Sequence, residues 1–198
     1  MWSEVKILFS LSSPSPHIDC DVWLKAHIST GVMTNIVADV KVTGGHSADI
    51  NEFEGLVRGT KRKFDMKEVS ADKGYLSREN YTLVKSIGAQ AYIAFKENSR
   101  GRAKGSPAWI KAFYHFQNNK EDFLKHYHKR SNVETTFMAI KQKFGETLKS
   151  KNTTAQVNEL LCKILAYNIT VLIRCMYERN IAPEFLKVET VPTISVEI

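Results

Sequence analysis

Four side chains able to do ionic or acid–base chemistry follow one another at regular spacing within residues 127–144. They are a phenol, a guanidinium, a carboxylate and an ammonium: Tyr127, Arg130, Glu134 and Lys141. On a helix that turns by about 100° per residue, all four fall within an arc of roughly 60°. The apolar residues of the same stretch fall beside that arc, between about 220° and 280°: Val133, Phe137, Ile140 and Phe144. The pattern therefore predicts an acid, two bases and a phenol at the rim of a hydrophobic core.

A plainer, structural interpretation covers part of this pattern. Arg130 and Glu134 are one helical turn apart, and ion pairs at that spacing are common on helix surfaces. Such pairs contribute little to stability and require no functional site. Taken alone, the spacing favours this surface pair, so a second motif is needed to decide between the two interpretations.

Two motifs together resemble one protein family. The spacing Tyr-x2-Arg-x3-Glu-x6-Lys, complete in residues 127–141, resembles the signature of a large group of DDE-type insertion-sequence transposases. Upstream, EVSADKGYLSRENYTLV resembles the strand that bears the second catalytic aspartate of that family, which would be Asp72. WLKAHISTGVMTNIV and VNELLCKILAYNI also resemble the family, so the likeness covers roughly residues 23–183. Two motifs in the correct order make the functional interpretation of Glu134 the stronger one.

The resemblance implies a fold and a chemistry. The fold would be ribonuclease H-like, an α/β core with a mixed sheet flanked by helices and followed by long C-terminal helices. Three carboxylates of the family hold two Mg²⁺ or Mn²⁺ ions, and two metals about 4 Å apart can clamp both oxygens of an in-line phosphoryl displacement. Here Asp72 and Glu134 would be catalytic metal ligands, because Mg²⁺ prefers oxygen donors.

The same resemblance assigns the remaining residues of the motifs to DNA. Arg130 would meet phosphate oxygens in a bidentate manner and Lys141 as a point charge. Tyr127 would position a phosphate or stack near a base, and Lys73, beside Asp72, would touch DNA or face solvent. The implied partners are double-stranded DNA, both transposon ends and target, and a second copy of the chain in a homo-oligomer.

The sequence departs from the family where the first catalytic aspartate should be. The family carries it on the first strand in an Asp-Ser-Thr-like motif, whereas the only candidate strand here, VKILFSLSS, contains no acid. Asp19 and Asp21 are the nearest carboxylates and do not fit the pattern. We therefore expect a first strand that is missing or degenerate, and little or no strand-transfer activity. The alternatives are a non-catalytic DNA-binding remnant and an interaction domain that pairs through its C-terminal helix.

Several other polar residues have two interpretations each. His46 and Asp49 form either part of the site or the cap of a helix. Lys25 and His27 alternate with Trp23 on one strand face, which is either an edge for DNA or ordinary packing. The polar segment 96–107 is predicted to be a mobile loop, and its cations would contact a DNA backbone or only solvent: Lys96, Arg100, Arg102 and Lys104.

The elements that must position these residues follow an α/β order. Alternating and helical patterns predict strands at 5–11, 24–29, 35–42, 68–71 and 91–95. They predict helices at 49–57, from a Ser77 cap to Ile87, across 108–144 with a break near 117–119, and from about 155 to 179. We expect a degenerate or disordered segment at 1–22, a catalytic-like domain at 23–183, and an uncertain tail at 184–198.

Composition narrows the class of partner and the compartment. Lys and Arg outnumber Asp and Glu by 28 to 21, for a net charge of +7, which favours a polyanionic partner. Three cysteines form no CxxC pair, so neither a disulfide framework nor a zinc site is expected. The apolar run near the start is too short for a signal-peptide core or a membrane span, and no other stretch approaches eighteen apolar residues without charge, so no membrane partner is expected. These features predict a cytoplasmic, nucleoid-associated protein.

Overall fold

The structure, a computed structural model, describes residues 4–7, 24–102 and 105–183. Five strands lie in these ranges: β1 Glu4–Ile7, β2 Leu24–Gly31, β3 Val37–Gly44, β4 Glu68–Ala71 and β5 Gln90–Ile93. Six helices accompany them: α1 Phe53–Lys61, α2 Arg78–Ser86, α3 Pro107–Asn118, α4 Lys120–His128, α5 Ser131–Phe144 and α6 Thr153–Glu178. Short 3-10 turns cover Asp49–Glu52 and Lys73–Tyr75. The predicted mixed α/β class is confirmed.

The strands form one mixed sheet in the order β3-β2-β1-β4-β5. The pairs β1–β2 and β2–β3 are antiparallel, whereas β4 runs parallel to both β1 and β5. In the β1–β4 pair, Ile7 lies opposite Ala71, so the two strands end at the same edge of the sheet. That edge is where residues following β4 project.

The expectation that the first strand is missing is wrong, because residues Glu4–Ile7 form a strand. β1 occupies the centre of the sheet, overlaps the candidate strand 5–11 at residues 5–7, and pairs with β2 on one side and β4 on the other. Val5 and Ile7 favour an extended backbone, and both neighbouring strands would otherwise present unpaired edges. Residues 8–23, which include Asp19, Asp21 and Trp23, and the tail 184–198 lie outside the described ranges.

The core lies between the sheet and the helices that cover it. On α1, Phe53, Leu56 and Val57 are fully buried, at the spacing of a helix with one apolar face. α2 begins where the sequence predicts, because the Ser77 side chain accepts a hydrogen bond from the Asn80 backbone N–H. It ends before Gly88, whose φ of 82° is readily adopted only by glycine. These local signals confirm the predicted helix.

The polypeptide around the signature motif is less regular than predicted. A break at Asn119 separates α3 from α4 and confirms the one expected near 117–119. A second break at Lys129–Arg130 separates α4 from α5, so the prediction of one continuous helix across residues 127–144 is wrong. Both residues keep helical dihedral angles, and the Arg130 N–H bonds the Tyr127 carbonyl in a tightened turn. The relative positions of the motif residues are therefore nearly preserved.

The last helix, α6, is held against the sheet by its polar residues. The Asn152 side chain caps its first turn by accepting from the Ala155 N–H. Farther along, the Asn168 amide bonds both the N–H and the carbonyl of Val37 on β3, at 2.8 and 2.9 Å. In the described part of the chain, α6 is the helix whose length and composition would allow it to cross a membrane, with a mean hydropathy of 1.5.

Candidate active site

Asp72 lies at the carboxyl end of a central strand. It directly follows β4 and keeps an extended backbone, with φ −69° and ψ 161°, before the chain turns through Lys73–Tyr75. Its side chain is 39% exposed. The carboxylate is thus anchored by a buried strand and open to solvent at the same edge where β1 ends. Such an edge suits a binding site, because the rigid strand positions a group that ligands can reach.

Arg130 connects Asp72 to Glu134. Its Nη1 lies 2.8 Å from Glu134 Oε1 and 4.0 Å from Asp72 Oδ1. Two acids from distant parts of the sequence therefore converge on one guanidinium nitrogen. Glu134 stands in the first turn of α5, where the helix dipole stabilises a negative charge, and its side chain is 49% exposed. The predicted surface ion pair exists, but it is also part of this larger cluster.

Tyr127 contacts both Asp72 and Arg130 of this cluster. It is buried at the end of α4, its hydroxyl donates to Asp72 Oδ1 at 3.5 Å, and the Arg130 guanidinium lies 5.2 Å from its ring centre. Burial raises the pKa of Tyr127, the Arg130 charge opposes that rise, and the Asp72 charge adds to it. The phenol consequently remains a proton donor to Asp72. This buried position suits orientation of the carboxylate; a contact of Tyr127 with DNA stays a prediction.

The surroundings of Arg130 favour its charged form. Burial lowers its pKa, but the neighbouring Tyr127, Asp72 and Glu134 outweigh that effect, so the net pKa is raised. Within the described ranges, its Nε is buried and has no hydrogen-bond partner. A buried donor without an acceptor costs about 1–3 kcal/mol. The site thus contains a buried donor without an acceptor, in the guanidinium that approaches two carboxylates.

The donor set partly fits a divalent cation. Asp72 and Glu134 supply hard oxygen atoms close to one point, which Mg²⁺ and Mn²⁺ prefer. That point is now taken by the guanidinium, so a cation would displace it. Among the residues that the structure describes, no group of three His, Cys, Asp or Glu side chains is arranged to hold a metal. The described site therefore offers two of the three expected carboxylates.

Lys73 and Lys141, the two lysines of the predicted site, lie at different distances from this cluster. Lys73 is exposed directly beside Asp72, at the rim of the site. Lys141 lies two turns beyond Glu134 on α5, roughly 10 Å along the helix axis. Its Nζ is 4.0 Å from Glu146, and it borders a small hollow next to Leu24 and Leu160 rather than the acidic cluster. A phosphate contact at Lys141 would therefore involve DNA extending along α5.

A second polar cluster adjoins Asp72 under the sheet edge. The Tyr75 hydroxyl lies 3.5 Å from His27 Nδ1, and His27 Nε2 lies 2.9 Å from the Thr43 hydroxyl. Both His27 and Tyr75 are fully buried. Burial lowers the pKa of His27, although the charges of Asp49 and Glu52 oppose this. Because His27 is fully buried, the structure supports ordinary packing as its role and not a contact with DNA.

The acids beside this cluster were only partly recognised from the sequence. Asp49 begins a 3-10 turn without capping it and instead pairs with Lys25 at 3.4 Å, while His46 is exposed. Burial raises the pKa of Tyr75, and Asp49, Asp72 and Glu52 raise it further. Glu52 was missed; its signal was the Asp-x-x-Glu spacing, which places both acids on one side of the turn.

The basic loop after β5 is anchored at one point. Trp109 on α3 donates its indole N–H to the Arg100 carbonyl at 2.9 Å, and Gly101 is buried against Phe113. The side chains of Lys96, Arg100 and Arg102 remain exposed, and Lys104 lies outside the described ranges. Loop mobility and DNA contacts stay predictions, although this anchoring argues against a freely moving loop.

Comparison with known protein families gives an independent result. A sequence model described as the transposase DDE domain matches residues 22–169. The match covers most of the chain and contains Asp72, Arg130 and Glu134, the residues that converge in space. It begins just before β2 and ends within α6. This chain belongs to the transposase DDE domain family.

Proposed function

We propose that this chain acts on DNA through the cluster of Asp72, Glu134 and Arg130, but lacks strand-cleavage activity. Family membership supports a function in DNA transposition. The observation that carries the finer proposal is the approach of one Arg130 nitrogen to both carboxylates, at 4.0 and 2.8 Å. A strand-end aspartate and a helical glutamate that meet in this way match the roles that the sequence motifs imply.

The sheet supports a ribonuclease H-like core. Three antiparallel strands in the order β3-β2-β1 continue into β4 and β5, both parallel to β1. This arrangement brings the ends of β1 and β4 side by side, with α5 close enough for Glu134 to approach. An acid at the carboxyl end of β1 and an acid after β4 would then become neighbours, which is the arrangement a metal-bridging pair requires.

The residues of the site have separable roles in this proposal. Asp72 and Glu134 would hold Mg²⁺ or Mn²⁺, which supplies charge stabilisation at a phosphoryl group. Tyr127 orients Asp72 through its hydroxyl. The Arg130 guanidinium, whose side chain is 28% exposed, would donate from its accessible nitrogens to a phosphate oxygen. Lys73 attracts the DNA backbone at the rim.

The lack of cleavage is inferred from the sequence of β1 and the residues after it. The acid within β1, Glu4, pairs with Glu68 at the start of β4, whereas Asp72 follows the end of β4. Ile7, the last described residue of β1, lies opposite Ala71, the residue before Asp72. In the sequence, Ile7 is followed by LFSLSS, which contains no carboxylate. Two acids hold two cations poorly, and phosphoryl transfer requires both the attacking and the leaving oxygen to be stabilised. The same reasoning makes DNA binding without chemistry the main alternative within this family.

A nicking assay tests this proposal. The purified chain is incubated with supercoiled plasmid and Mg²⁺ or Mn²⁺, and we expect no strand cleavage above the metal-only background. DNA retention in the same samples should still be seen at low salt. The site variants are Asp72→Asn and Glu134→Gln, and the control is Glu146→Gln, an exposed acid that lies two residues beyond the end of α5.

Metal-dependent nicking that survives Glu146→Gln but is lost in Asp72→Asn and Glu134→Gln would refute the proposed inactivity. It would also show that the site is complete. In that case Asp19→Asn and Asp21→Asn would identify the third ligand, because these are the first acids that follow β1 in the sequence. Absence of DNA retention at low salt would instead refute the proposed role on DNA.

A further inference from the structure

Two carboxylates stand at the two ends of one short strand. Glu68 begins β4 and Asp72 directly follows it, so about 13 Å of extended chain separates them. Because every second side chain of a strand points to the same side, Glu68, Ser70 and Asp72 share one face of β4. The end of α4 lies across this face, since the Ser70 hydroxyl donates to the His126 carbonyl at 2.9 Å. The turn that joins α4 to α5 therefore spans both carboxylates.

The Glu68 carboxylate holds two residues of this turn. His126 Nδ1 donates to Glu68 Oε2 at 2.8 Å, and Lys129 Nζ donates to the same oxygen at 3.3 Å. His126 and Lys129 are three positions apart, so they are neighbours on one side of the turn. Burial opposes ionisation of Glu68, but the hydrogen bond from His126 and the charge of Lys129 outweigh it and lower the pKa of Glu68. Glu68 is therefore a charged acceptor at neutral pH, and we call these two contacts the Glu68 clamp.

The His126 ring is also fixed on its other sides. It stacks on the Tyr92 ring of β5, with the ring centres 4.5 Å apart and an angle of 11° between the planes. Its Nε2 lies 4.0 Å from Asp122 Oδ1, one turn earlier on α4. The end of α4 is thus attached to two neighbouring strands, β4 and β5. A side chain that is held by both packing and a hydrogen bond keeps its direction, so it can serve as a fixed point for the residues beside it.

The contacts at Asp72 are longer than those of the Glu68 clamp. Tyr127 and Arg130, each one position after a residue of the clamp, approach Asp72 Oδ1 at 3.5 and 4.0 Å. The Asp72 side chain is 39% exposed, whereas that of Glu68 is 21% exposed. Hydrogen bonds between charged groups are strongest near 2.8 Å and weaken as the distance grows. The turn is therefore bound closely at Glu68 and loosely at Asp72, the end that solvent reaches.

We propose that Glu68 is a positioning residue for the site at Asp72. Through the Glu68 clamp it fixes the turn between α4 and α5, and thereby the direction from which Tyr127 and Arg130 approach the Asp72 carboxylate. Glu68 lies at the other end of β4, so it acts on the site only through this turn. The use of the positioned groups rests on the proposed function, whereas the positioning itself requires neither metal nor DNA. A stabilising ion pair without this role would strengthen the fold and leave Tyr127 where it is.

Fluorine NMR of the full chain labelled with meta-fluorotyrosine tests the proposal. The chain has seven tyrosines, and the resonance that is lost in Tyr127→Phe belongs to Tyr127. Asp72→Ala should shift this resonance, because it removes the acceptor of the Tyr127 hydroxyl. Glu68→Leu should shift the resonance in the same direction by at least about half as much, and the two shifts should not add in the double variant, because both act on one contact.

Matched variants separate positioning from stability. Glu159→Leu on α6 removes another carboxylate that is 21% exposed and accepts hydrogen bonds, so it should lower the free energy of unfolding but leave the Tyr127 resonance unchanged. His126→Asn keeps a donor at the place of Nδ1 and should retain the wild-type resonance, whereas His126→Leu should shift it as Glu68→Leu does. Circular dichroism checks folding, and the comparison of His126→Leu with His126→Asn replaces Glu68→Leu if that variant is unfolded.

Four results would overturn the proposal. The first is an unchanged Tyr127 resonance in folded Glu68→Leu, since Glu68 would then only stabilise the fold. The second is an equal shift in Glu159→Leu, since any loss of stability would then displace Tyr127. The third is a pair of shifts that add in the Glu68→Leu/Asp72→Ala variant, since the two acids would then act separately. The fourth is a resonance that Asp72→Ala does not move, since the phenol would then not bind Asp72. All four are observed without DNA or metal, so failure of the proposed function is seen separately in the nicking and retention assays.

Discussion

Replacing Arg130 by glutamine should lower the free energy of unfolding in the absence of metal. It should also increase the stabilisation that a divalent metal ion produces. The substitution removes an i,i+4 pair with Glu134 that contributes about 0.5 kcal/mol and a cation–π contact with Tyr127 of about 0.5–1 kcal/mol. It also removes the unpaired buried Nε, which offsets part of that loss. We expect a net destabilisation of about 1 kcal/mol, or roughly 3 °C in melting temperature.

Metal should reverse the sign of that difference. Without the guanidinium, Asp72 and Glu134 face each other with no cation between them, so a divalent ion gains access and relieves their repulsion. Mn²⁺ at about ten times its dissociation constant would stabilise the variant by about 1.4 kcal/mol. The wild type should respond much less, because Mn²⁺ must first displace Arg130.

Thermal unfolding with and without Mn²⁺ measures both effects. Arg58→Gln is the matched control, because Arg58 forms an exposed i,i+4 pair with Glu54 at 2.7 Å. It should cost about 0.3–0.5 kcal/mol and show no added response to Mn²⁺. Adding Asp72→Asn to Arg130→Gln should abolish the gain. If Arg130→Gln and Arg58→Gln respond equally to Mn²⁺, the two acids do not form a shared cation site.

Two further predictions concern acid stability and DNA affinity. Burial opposes ionisation of Glu159, but hydrogen bonds from the Lys149 and Ser150 backbone outweigh it and lower the pKa of Glu159 to about 2. The stabilisation is complete above about pH 4.5 and is lost as pH falls toward 2. Glu159→Gln should therefore cost about 1–2 kcal/mol in urea unfolding at pH 7 and progressively less below pH 4.5; a pH-independent cost would contradict this. Lys73→Glu should weaken binding to duplex DNA and reduce the slope of log affinity against log salt by about one. Lys61→Glu, an equal charge change on α1, should alter that slope less. Equal slopes for the two variants would show that Lys73 does not contact DNA.

Local signals account for the parts of the fold that were predicted correctly. The strand Glu68–Ala71 and the helix between Ser77 and Gly88 depend on side-chain alternation, a cap and a residue with positive φ. Each of these acts over a few residues, so the sequence contains all the information they need. The break at Lys129–Arg130 lacks such a signal, because neither residue disfavours a helix.

The pairing of Asp72 with Glu134, which are distant in the sequence, could be predicted only from the family resemblance. Periodicity placed Glu134 beside a core, and the motif identified Asp72, but neither located Arg130 between them. Tyr75 and Glu52 were missed because their proximity to Asp72 arises from the packing of two short turns. Such contacts depend on the relative position of elements, which no local pattern determines.

By itself, the sequence determined the family, the α/β order of elements, and the identity of Asp72 and Glu134 as the acids to examine. The tertiary structure decided where β1 pairs, because Val5 and Ile7 suit any strand and only the open edges of β2 and β4 select the central position. It also decided which face of α6 is buried. An apolar helix offers several equivalent faces, and the bonds of Asn168 to Val37 select one and leave Leu165 and Leu172 exposed to solvent.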